Sequence, residues 1–100
     1  MAIVERSLAA DHPAARGHFP GNPIIPGAVL LSEALRLIES ETGMKLWPCR
    51  IRRAKFPAPA RPGDRLVIEF GRAGSSVRFK CTVRDDTVLI GEVECVSSAA

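Results

Sequence analysis

The chain has 100 residues, 46% hydrophobic and 25% charged. That length fits one domain spanning 1–100, and the balance suits a packed core, which excludes a disordered, collagen-like or disulfide-stapled chain. The formal net charge is +3, from 14 Lys and Arg against 11 Asp and Glu, so an acidic partner is permitted while nucleic acid is not demanded.

Ala2 to Leu8 supplies apolar positions at Ile3, Val4 and Leu8 and is expected to be a strand. A proline-dense stretch follows, with Pro13, Pro20, Pro23 and Pro26. Each proline fixes its own φ and biases the preceding residue away from helix, so this is a stiff, extended loop. His12 reads as an ordinary loop residue. The apolar run from Phe19 to Leu31 is interrupted by prolines and is too short to span a bilayer. No basic start leads into a long apolar core with a cleavage site, so no membrane association is expected and the expected location is cytoplasmic.

Gly27 to Glu41 predicts one long helix. At about 100° per residue, Leu30, Leu31, Ala34, Leu35, Leu37 and Ile38 share a broad apolar arc. Ser32, Glu33, Arg36, Glu39 and Ser40 fall opposite, with Val29 among them, and Gly43 is the expected stop. The rest is strand-rich. Leu46 to Lys55 is a strand with a bulge expected near Arg52–Arg53, and Phe56 to Gly63 is a connection. Arg65 to Phe70 alternates, and Gly71 to Ser76 is a turn. Val77, Phe79, Cys81 and Val83 alternate cleanly with polar neighbours. A turn at Asp85–Asp86 leads to a last strand, Thr87 to Val96. One helix cannot cover both faces of such a sheet. The simplest arrangement is α+β, with a curved antiparallel sheet of about five strands wrapped around the helix and a second subunit alongside.

The three cysteines, Cys49, Cys81 and Cys95, have no metal-ligand spacing and read as buried free thiols. Arg50, Arg52, Arg53 and Lys55 form a basic cluster, read first as a solvated strand face.

The most informative stretch runs from Gly17 to Gly27, Gly-His-Phe-Pro-Gly-Asn-Pro-Ile-Ile-Pro-Gly. It opens with an imidazole, His18, suited to proton abstraction near neutral pH. It ends in Pro26-Gly27 at the expected helix start, where first-turn N–H groups lack intrahelical partners and the helix dipole is positive. A carbonyl oxygen gaining negative charge would be stabilised there. Base, polarising amide and stiff spacer together suggest proton removal beside a carbonyl.

The pattern His18-Phe19-Pro20, two residues, Pro23, two residues, Pro26-Gly27 closely resembles the signature of the 3-hydroxyacyl-acyl-carrier-protein dehydratases of fatty-acid synthesis, which have the hotdog fold. Ala54 to Leu66, with its Pro62-Gly63-Asp64 turn, is similar to a second family segment. The resemblance implies a single hotdog whose reaction needs no metal or redox cofactor. It also implies a substrate carried on the phosphopantetheine of an acyl-carrier protein or of coenzyme A, and a homodimer, with a trimer of dimers left open. It implies that His18 is the base and that the Gly27 amide binds the thioester carbonyl. Phe19, Pro26 and Ser32 would contact substrate. The family acid lies fourteen positions after the histidine and comes from the other subunit. That position here is Ser32, with Glu33 one residue later. A one-residue adjustment at Ala28 makes Glu33 the acid, and without it Ser32 takes the place. Through the same resemblance, the Arg50–Lys55 cluster could steer an acidic carrier. A hotdog thioesterase and a non-catalytic accessory subunit are the alternative readings.

Overall fold

The computed structural model describes residues 2–9 and 24–96. The elements run β1 (Ala2–Ser7), α1 (Gly27–Thr42), β2 (Cys49–Lys55), β3 (Arg65–Ala73), β4 (Ser76–Val83) and β5 (Asp86–Cys95). The strands form one five-stranded sheet in the order β1-β3-β4-β5-β2, with every neighbouring pair antiparallel. β1 and β2 are therefore the two edges.

The six residues assigned to the apolar arc of the helix are the six it buries: Leu30, Leu31, Ala34, Leu35, Leu37 and Ile38. They share one core with Leu66, Ile68 and Phe70 of β3, Val77, Phe79 and Cys81 of β4, and Leu89 and Val93 of β5. The alternation along β4 is realised residue by residue, since Val77, Phe79, Cys81 and Val83 are buried while Arg78 and Lys80 are exposed. Gly43 ends the helix in the left-handed conformation at φ 75°, its N–H donating to the Glu39 carbonyl at 2.8 Å. The β2–β5 register shifts between Ile51 and Arg53, where the bulge was expected.

Several boundaries differ from the sequence expectation by one to three residues. β3 runs through Gly71 and Arg72 to Ala73, because these residues pair with Arg78, Val77 and Ser76 and the sheet overrides the glycine. Its turn is only Gly74–Ser75. The β4–β5 turn is Arg84–Asp85, both at positive φ (48° and 68°), as a tight two-residue hairpin requires. β2 begins at Cys49 rather than Leu46. Leu46 is buried ahead of the strand, and its N–H donates to the Glu39 carboxylate at 2.8 Å.

Cys81 is fully buried, and burial pushes its thiol up to about 12 from an ordinary value of 9.0. The folded thiol stays protonated where the unfolded one ionises. Its contribution is present in full below pH 9 and is lost as pH rises toward about 12. Cys81→Val, a near-isosteric change, is expected to remove about 2 kcal/mol of the stability lost between roughly pH 8 and pH 11. Urea unfolding of both proteins at each pH measures the difference.

Candidate active site

Two segments meet at the start of α1. The Ile25 N–H donates to the Ala60 carbonyl at 2.8 Å, tying the approach to the helix against the connection that follows β2. Pro26 is the N-cap, with φ −57° and ψ 145°, and its carbonyl accepts from the Leu30 N–H at 2.9 Å. Gly27, Ala28 and Val29 are then the first-turn donors that the helix itself cannot satisfy. Among the described residues no side chain caps this end, and its first turn contains no acidic residue. The first-turn N–H groups carry the positive end of the helix dipole.

The Phe56 ring lies over Gly27. A Cβ at Gly27 would sit 3.1 Å from the ring Cε2 and Cζ. Ile24, Pro26, Gly27, Leu30, Phe56 and Pro57 contribute to a largely apolar hollow of about 500 Å³. It can seat an apolar group beside the Gly27 amide.

A methyl at Gly27 must move the ring by a few tenths of an ångström. Phe56 is 43% exposed, so the ring can give. Alanine also favours helix over glycine by up to about 1 kcal/mol. Gly27→Ala is therefore expected to hold or slightly raise the melting temperature. It should lower turnover roughly 10- to 100-fold by crowding the space before the amide. Melting and turnover measured on one preparation separate the two effects.

Ser32 and Glu33 are both half-buried, on opposite flanks of the buried arc. Glu33 borders a second hollow of about 480 Å³, with Arg6 and Ser7 of β1, Leu8, Leu66 and Arg36. Six residues separate it from Gly27, about 9 Å along the helix and about 120° around it. Ser32 is about 100° from Glu33, on the flank turned away from β1. Within one chain, Pro26 and Gly27 come together, while Glu33 lines a separate hollow. His18, Phe19 and His12 lie outside the described residues.

Two contributors were not visible in the sequence. Phe56 falls in a connection, and its Phe-Pro context carries no signal that the ring covers Gly27. Glu39 lies on the polar face by periodicity, yet its carboxylate accepts from the Leu46 N–H and, at 3.3 Å, the Trp47 N–H, so it holds the chain leading into β2. Burial pushes the Cys49 thiol up, helped by Cys95 and Glu39. The basic cluster is exposed along β2. Arg50 and Arg52 approach Glu94 at 3.9 and 3.6 Å, and Arg78 approaches Glu92 at 3.6 Å. Such exposed pairs contribute little to stability.

Among the described residues, no helix is long and apolar enough to cross a membrane. Residues 1–92 match the family described as ApeI-like, ApeI dehydratase. The 3-hydroxyacyl-[acyl-carrier-protein] dehydratase FabZ of Ehrlichia canis (strain Jake) is 30% identical over 95% of this chain and 73% of its own length. The FabZ of Caulobacter sp. (strain K31) is 34% identical over 89% of this chain and 62% of its own. The chain thus spans only about two thirds of these relatives. In fold it is similar to the dehydratase heterocomplex ApeI:P from Xenorhabdus doucetiae, with a TM-score of 0.73 and 22% identity over 92% of this chain and 83% of that one. A dehydratase-family match over residues 1–92, together with FabZ relatives, answers the resemblance carried by the His18–Gly27 signature: this chain belongs to the ApeI-like dehydratase family.

Proposed function

We propose that the chain is a hydro-lyase that eliminates water from a 3-hydroxyacyl thioester to give a trans-2-enoyl thioester. The match to a dehydratase family over residues 1–92 carries this reading. His18 removes a proton from the carbon next to the thioester carbonyl. The Gly27 N–H donates to the carbonyl oxygen as it gains negative charge, and the positive end of the helix dipole reinforces that donor. The acyl chain lies against Pro26 and Phe56, and Phe19 is the further substrate contact that the family resemblance implies. An acid protonates the departing 3-hydroxyl, and the water leaves.

Glu33 is the first choice for that acid, delivered by a neighbouring subunit, since within one chain it borders a different hollow from Gly27. Ser32 is the rival, and its position on the flank away from β1 supports it. The pairing we propose uses β2. It is an edge strand with an exposed apolar residue, Ile51, at 50%. The reading is a homodimer, extensible to a trimer of dimers. A distinct dehydratase-like chain is the other occupant that this edge could accept. The substrate arrives on the phosphopantetheine of an acyl-carrier protein or coenzyme A in the cytoplasm, and no metal or redox cofactor takes part.

The test presents the purified chain with 3-hydroxyacyl thioesters of both carriers and follows loss of one water by mass. Enoyl product supports the proposal. Thiol release from an acyl thioester lacking the 3-hydroxyl, without enoyl product, would overturn it in favour of a thioesterase. Carrier binding with neither reaction would overturn it in favour of an accessory subunit.

A further inference from the structure

Cys49 is the first residue of β2 and Cys95 the last of β5, and the register sets them directly opposite. The hydrogen bonds around them define what kind of pair this is. The Val96 N–H donates to the Pro48 carbonyl at 3.0 Å, so 48 and 96 occupy the bonded position. The Cys95 N–H turns the other way, to the Ser75 carbonyl at 2.8 Å. Cys49 and Cys95 are therefore a non-hydrogen-bonded pair, the kind that brings Cα atoms to about 4.5 Å and side chains closest together. That separation is within the range a disulfide bridges.

The pair continues the row in which Ile51 opposes Val93, and both cysteines pack against the edge of the core, so both sulfurs lie on one side of the sheet. Both thiols are free and half-buried. Cys81 is sealed within the core opposite Ile68 and Leu89, so it does not compete for either sulfur.

We propose that Cys49 and Cys95 are an oxidative modification site, a thiol pair that closes to a cross-strand disulfide on meeting a low-molecular-weight disulfide such as glutathione disulfide. One cysteine, as thiolate, attacks a sulfur of the oxidant and releases one glutathione thiolate. The other cysteine then attacks the protein sulfur of that mixed disulfide and releases the second. Two protein thiols are oxidised and one disulfide is reduced to two thiols. The two protons lost from the cysteines end on the two glutathiones. The new bond pins the first residue of the β2 edge and closes a loop of nearly half the chain. The site is independent of the dehydration chemistry.

The experiment treats the intact folded protein with glutathione disulfide at about pH 8.5, where a fraction of an ordinary thiol is ionised. Expected are the loss of two hydrogen masses from the monomer and a tryptic species joining the Leu46–Arg50 peptide to the one beginning at Asp85. The melting temperature should rise by roughly 5–15 °C, reversed by dithiothreitol. Cys95→Ser should give none of these. Persistent free thiols at 49 and 95, a stable glutathione adduct, an intermolecular cross-link, or loss of two hydrogen masses in Cys95→Ser would each overturn the proposal.

Discussion

His18→Ala is expected to lower dehydration turnover by about 10²- to 10⁴-fold, the range a positioned general base contributes, while leaving the melting temperature within a few degrees. The loss follows from its proposed role, since only the imidazole takes the proton next to the thioester. Turnover of a 3-hydroxyacyl carrier thioester, followed by enoyl formation, is the measurement. A rate equal to wild type would remove His18 from the mechanism. Paired variants then decide the acid. Glu33→Gln should cost turnover by a comparable factor if the carboxylate serves, and Ser32→Ala should do so if the hydroxyl does. The proposed sharing of the site between subunits makes a further demand. Mixing His18→Ala with Glu33→Gln and allowing subunits to exchange should restore partial activity, because the hybrid carries one site with both groups intact. Neither variant alone can build such a site. No recovery after demonstrated exchange would place base and acid on the same chain.

The second large effect concerns stability. Gly91 of β5 pairs with Phe79 of β4, whose ring lies across it in the core. A Cβ at Gly91 would stand 2.6 Å from the ring Cε2, inside any tolerable contact. Unlike Phe56, Phe79 is only 3% exposed and is held within the core cluster. Gly91→Ala is expected to cost about 3 kcal/mol, lowering the melting temperature by roughly 15 °C. Thermal unfolding followed by circular dichroism measures it. Phe79→Leu added to Gly91→Ala should recover part of the loss, because it removes the atoms that clash. Its failure to do so would locate the damage in the backbone instead.

The contrast between these glycines shows what the sequence could reveal. Periodicity reports which face a residue occupies. The buried set of α1 and the alternation of β4 were therefore legible, as was the irregularity at Arg52–Arg53. Periodicity does not report which side chain crosses to a residue on another element. The rings over Gly27 and Gly91, and the reach of Glu39 to Leu46 and Trp47, were hidden for that reason. Glycine and aspartate are local breakers, yet ladder pairing decides the end of β3 and the start of β5. At the candidate site, the Pro26-Gly27 helix start was legible as a motif. The choice between Ser32 and Glu33 was not, because both are half-buried and flank the same apolar arc.

The bulge in β2 has a consequence for how two copies would tolerate each other. It sets Arg52 and Arg53 beside Arg50 and Lys55 on the outer side of the sheet, partly balanced by Glu92 and Glu94 of β5. Two β2 edges joined antiparallel in one plane would present these cations on the same side and close together. Added electrolyte would screen that repulsion, so self-association should tighten as ionic strength rises, whereas attachment of an acidic protein to the same strip would loosen.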